Sequence, residues 1–108
     1  MEQVKYAVVL VTVSGRDEAD RITLALLNEG EAACVNIVPN ISSHFWWQDQ
    51  IDHADELLLV IKTRLPAVPG VIDVVKRYHS YTVPEIIALP IVAGNEDYLK
   101  WIEDETSE

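Results

Sequence analysis

A chain of 108 residues, 49% apolar and 24% charged, has the length of one globular domain and can bury about two-thirds of its unfolded surface. Eight basic against eighteen acidic residues give a formal charge of −10, which repels nucleic-acid phosphates and anionic membranes and attracts cations. No apolar run approaches the roughly 18 residues a bilayer span needs, so a soluble chain is expected, with neither nucleic acid nor membrane as partner.

The opening MEQVKYAVVLVTV has a short apolar stretch and no small-residue cleavage site, so it reads as a strand over 4–13 and not as a signal peptide. It ends at Ser14-Gly15. Ser14 and Asp17 have capping-box spacing and predict a helix to about Asn28, with Ala19, Ile22, Leu26 and Leu27 inward and Gly30 as a left-handed terminus. A single cysteine, Cys34, forbids an internal disulfide and fits a reducing cytoplasm, the expected location.

AACVNIVPNISSHFWWQDQ is strand-like but interrupted at Pro39-Asn40, which predicts a bend or bulge there and a turn near Asp49 to Asp52. ELLLVIKT, 56–63, is its hairpin partner. Pro66 and Pro69 suit the first turn of a second helix, in which Val68, Val71, Ile72 and Val75 keep helical spacing to about Arg77, leaving His79 just past its end. IIALPIV, 86–92, is a fourth strand, and Asn95 with Glu96 and Asp97 starts a final helix through Ile102.

The order βαββαβ plus a helix is the split βαβ, ferredoxin-like pattern of the α+β class, with an antiparallel sheet and two helices on one face. The strands are nevertheless apolar on both sides, and a bare apolar face is unusual for a monomer, so a homo-oligomer is expected. Trp46 and Trp47 point the same way, because neighbours in a strand aim at opposite faces.

Signatures of phosphate loops, paired-cysteine zinc sites, His-Glu-x-x-His enzymes and serine hydrolases are absent, so no enzyme activity is expected. What remains is a set of soft and borderline ligands, Cys34, His44, His53, His79, Glu85 and Tyr81, which favour copper or zinc over magnesium. Cys34 sits mid-strand, where a thiol also serves as packing. His79 follows a helix C-terminus that favours imidazolium and opposes metal binding. Glu85 stands at the mouth of an apolar strand and needs a cation, a metal or donors; Lys62 is the candidate cation and Tyr81 the candidate donor. A structural salt bridge and a ligand site both fit. His44 and His53 flank the hairpin turn and are expected on its surface.

EAACVNIVP, then FWW before a turn, then LLLVIKTR, HSYTVPEIIALPI and GNEDYLKWI together resemble the CutA family of divalent-cation tolerance proteins, over nearly the whole chain. The resemblance implies a ferredoxin-like single domain over 1–108, assembled as a tight homotrimer that binds divalent metals, copper especially, in a sensing or signalling role. It also implies an inter-subunit cleft, with Cys34, His79 and Glu85 as metal ligands and Trp47, Lys62 and Tyr81 lining it. The sequence departs from the family pattern at Ser14-Gly15, where some members carry another cysteine, and at Glu31. Two further functions fit the same residues: a trimer of the nitrogen-regulatory PII type binding an organic anion through Lys62 and Tyr81, or a structural scaffold anchoring a partner protein.

Overall fold

A computed structural model describes residues 3–106, so the first two residues of the opening segment and the last two of the acidic tail lie outside the described residues. In chain order the elements are β1 (Tyr6–Val13), α1 (Arg16–Asn28), β2 (Cys34–Trp47), β3 (Gln50–Arg64), a short 3-10 turn (Leu65–Ala67), α2 (Val68–Tyr78), β4 (Ile86–Ile91) and α3 (Glu96–Thr106). The four strands form one sheet in the order β2-β3-β1-β4 with every neighbouring pair antiparallel.

Alternation in β1 buries Ala7, Val9, Val11 and Val13, and their partners Leu59, Ile61 and Thr63 on β3 are equally buried. These side chains meet Ala19, Ile22 and Leu26 of α1 and Val71, Val74 and Val75 of α2, which makes the main core. Burial of such branched side chains contributes about 1.5–3 kcal/mol each, and it fixes the register, since a one-residue slip would invert both faces. Leu27, expected inward, is exposed because α1 presents only a narrow stripe to the sheet.

Two local expectations are corrected. Helix α1 has Gly15 as its N-cap and no side-chain capping bond, since Ser14 stands one residue too early to reach the first turn. The hairpin turn is Gln48-Asp49, both at positive φ (50° and 66°), with Trp47 paired to Gln50, so it is tighter and earlier than a turn over 49–52. Strand β3 therefore begins at Gln50. The irregularity expected at Pro39-Asn40 is present as a register shift between Val38 and Ile41, with Asn40 at φ 65°.

The long β2 and β3 outrun β1, whose last pair is Val13 with Leu57. The seven pairs from Ile41 with Glu56 to Trp47 with Gln50 thus form a free-standing arm about 20 Å long. It carries Trp46 and Trp47, which are 72% and 46% exposed on opposite faces.

The other face of the sheet carries Val8, Leu10, Leu58, Val60, Ile87 and Leu89. Helix α3 lies over one end of it: Tyr6 donates to Glu103 (3.3 Å), and Arg64 donates from Nε to Thr106 Oγ1 (2.9 Å) and from its terminal nitrogen to the Thr106 carbonyl (2.7 Å). The sequence expectation left this face to other subunits alone. The chain covers part of it with α3, while Ile87 and Leu89 remain 49% and 48% exposed.

Candidate functional site

A cleft of about 890 Å³ opens where β1 ends and the arm leaves the sheet. Thr12 and Glu56 lie at its base, Phe45 and Trp47 on the arm side, and the segment from Ser80 to Glu85 between α2 and β4 on the other.

His79 sets the path of that segment. Helix α2 stops at Tyr78 and the His79 backbone turns extended, its N–H still bonded to the Val75 carbonyl at 2.9 Å. The imidazole is fully buried. Nε2 lies 2.8 Å from the Thr12 carbonyl, which can only accept, so Nε2 carries the proton. Nδ1 then accepts the Tyr81 backbone N–H at 3.1 Å. Glu18 Oε2 stands 3.5 Å from Nδ1, and the Tyr81 ring packs on the imidazole with centroids 4.7 Å apart. Both ring nitrogens are committed, so in this conformation His79 holds the loop to β1 and offers no lone pair to a metal. The resemblance implies a ligand role for His79, whereas its ring nitrogens are here engaged in holding the loop.

Tyr81, positioned in this way, donates its phenol to Glu56 Oε2 at 2.6 Å. Glu56 is only 6% exposed. Burial first, and the bond and charge of Glu56 second, push the Tyr81 phenol above its usual range, so it stays a donor at neutral pH. Glu56 carries the same signal that singles out Glu85, a carboxylate at the mouth of an apolar strand, yet in ADELLLV it reads equally as a strand end. The sequence reading missed it for that reason.

Glu85 is exposed at the cleft rim and has no side-chain hydrogen bond or ion pair among the described residues. The expected Lys62 partner is out of reach. Lys62 is aligned with Val8, whereas Glu85 precedes Ile86, the partner of Val11, which separates the two by roughly 10–13 Å along the strands. Tyr81, the expected donor, serves Glu56 instead.

Cys34 is the cross-strand partner of Lys62 at the α3 end of the open face. Its thiol lies against the Tyr98 phenol, whose pKa is raised by burial first and by the adjacent sulfur second. A single chain thus keeps Cys34 apart from Tyr81 and Glu85, and among the described residues no group of three or more His, Cys, Asp or Glu side chains could hold a metal ion. Oxygen donors gather in the cleft while the sulfur sits at the far end of the same face.

A family model described as CutA1 divalent ion tolerance protein matches residues 7–105. The chain belongs to the CutA family. The divalent-cation tolerance protein CutA of Thermus thermophilus is 48% identical over 99 residues, which are 92% of this chain and 96% of that protein. The chloroplastic protein CutA 1 of Oryza sativa is 45% identical over 101 residues, 94% of this chain but 57% of the plant protein. Its chain therefore extends well beyond the shared domain. The crystal structure of CutA1 from Oryza sativa superposes with a TM-score of 0.93 at 44% identity, covering 97% of this chain and 96% of that one. The Thermus thermophilus CutA1 structure gives 0.92 at 47% identity, covering 94% and 99%.

CutA relatives carry names that describe tolerance of divalent cations, not a reaction. The compartments named for them differ: chloroplastic for the rice protein, periplasmic for the Archaeoglobus fulgidus one. In this CutA chain no helix among the described residues is long and apolar enough to cross a membrane.

Proposed function

We propose that this chain contributes to divalent-cation tolerance by binding the cation, without catalytic turnover, as a cytoplasmic homotrimer of ferredoxin-like domains that senses copper or a similar ion. The observation that carries this is the half-bare sheet face, on which Ile87 and Leu89 stay exposed and which runs toward Thr12, Glu56 and Glu85 of the cleft at one end. A second copy laid on that face removes apolar surface from water at about 25 cal/mol per Å².

Assembly also supplies what one chain lacks. Glu56 is taken up by the Tyr81 phenol, which leaves Glu85 as the open cleft carboxylate; oxygen alone suits hard cations, whereas copper prefers sulfur or imidazole. Cys34 and Lys62 sit at the opposite end of the same face, so a neighbouring copy can bring its Cys34 to the Tyr81 and Glu85 of the first. On this account Cys34 and Glu85 are ligands, Trp47 and Tyr81 wall the site, and His79 positions Tyr81.

Calorimetric copper titration of wild type against Cys34→Ser and Glu85→Ala tests it. Weaker binding in both is expected. Unchanged affinity and stoichiometry in both would remove the cleft as the site.

One observation favours a second function. Lys62 has no side-chain hydrogen bond or ion pair among the described residues and lies on the open face, where its ammonium could bind an organic anion. A thermal shift with organic acids and none with copper would favour that effector role, since a ligand at about a hundred times its Kd adds about 2.7 kcal/mol.

A further inference from the structure

The arm carries an arrangement that the cleft proposal does not use. His44 on β2 and His53 on β3 are direct cross-strand partners. Their rings are stacked, with centroids 5.8 Å apart and planes inclined by 27°. Both residues are exposed, and neither imidazole has a hydrogen-bond or ion-pair partner among the described residues.

Alternation places this pair on the face of the arm opposite Phe45, Trp47 and Glu56. Asp55 and Ser42 form the next rung on the histidines' own face. Both histidines still reach the rim of the cleft.

Residues directly opposite on antiparallel strands hold their Cβ atoms about 4.5–5.5 Å apart. A metal ion bonded to two imidazoles at about 2.0–2.1 Å needs their donor nitrogens about 3 Å apart. Side-chain rotation alone closes that gap, because both rings are free to turn and neither would break a bond in doing so. The flanking pairs Ser42 with Asp55 and Trp46 with Ile51 keep the backbone spacing, so once one ring binds, the second is delivered at high effective concentration.

The surroundings suit a cation. The chain has a formal charge of −10, and Asp49, Asp52 and Asp55 lie on the same short arm. Two neutral imidazoles with no thiolate select a borderline transition metal, copper(II) ahead of nickel or zinc, and leave the remaining positions to water.

We propose that His44 and His53 form a bidentate site for a divalent transition-metal ion, copper(II) foremost, on the outer face of the arm and distinct from the cleft. It goes beyond the cleft proposal and does not depend on it.

Electron paramagnetic resonance of the full chain titrated with copper(II) reads the site directly. The expected spectrum shows one copper per chain with hyperfine coupling to two nitrogens. His44→Ala and His53→Ala each abolish that coupling and weaken this class of binding on the order of 100-fold. Cys34→Ser and Glu85→Ala leave it intact while removing the thiolate-to-copper absorption expected of the cleft, so the two proposals fail on different signals. Circular dichroism and sedimentation of the histidine variants should match wild type, since both side chains are exposed and unbonded. Absence of a two-nitrogen site in wild type, or its survival at unchanged affinity in either histidine variant, overturns the proposal.

Discussion

Tyr81 and Glu56 come from segments 25 residues apart and meet in a 2.6 Å hydrogen bond, phenol donating to carboxylate, which ties the loop after α2 to the base of the arm. The bond closes one side of the cleft and keeps a nearly buried carboxylate satisfied.

Tyr81→Phe leaves that carboxylate oxygen without its donor and is expected to cost about 1–3 kcal/mol at neutral pH, read from the denaturant midpoint. The alkaline limb gives a second signature. The folded chain holds this phenol above its usual value of 10.0. The unfolded chain releases the proton near pH 10 and the folded chain only above that, so the contribution is complete below pH 10 and is lost as pH rises toward the folded value. Wild type should weaken through that window, and Tyr81→Phe should weaken less.

His79→Ala removes both anchors of the loop, the bond to the Thr12 carbonyl and the acceptor for the Tyr81 N–H. It also empties a fully buried ring site. A loss of about 3 kcal/mol is expected. Fast hydrogen exchange at the Tyr81 amide would distinguish a positioning residue from a ligand, because removal of a mere ligand would leave that amide protected in the metal-free protein.

The turn offers a change in the stabilising direction. Asp49 sits at φ 66°, where a side chain is strained and glycine is not. Asp49→Gly should raise stability by about 0.5–1 kcal/mol, seen as a higher thermal midpoint at fixed protein concentration.

Element order, the bulge at Pro39-Asn40, the left-handed Gly30 at φ 71° and the antiparallel arrangement were legible because each rests on local patterning or turn chemistry. The Ser14 cap was not, since it depends on a shift of one residue. The arm was underestimated because the part of β3 within it, QIDHADE, is mostly polar on both sides and lacks the apolar alternation that marks a strand. Which polar side chains pair was not legible. Pairing Glu85 with Lys62 required register, and pairing Tyr81 with Glu56 required knowing how His79 folds the loop back on β1. The role of α3 was hidden for a related reason: its Tyr98, Leu99 and Ile102 read as an ordinary amphipathic face, and nothing local says which side of the sheet that face covers.

Self-association over the open face is the claim on which the proposed metal site of the cleft depends. Sedimentation equilibrium of wild type and Leu89→Asp at micromolar concentration tests it, because Leu89 projects from the exposed part of that face and a buried unpaired charge costs several kcal/mol per copy. The predicted result is a wild-type particle of three times 12.2 kDa and a dissociated Leu89→Asp variant. A folded wild-type particle of 12.2 kDa would contradict it.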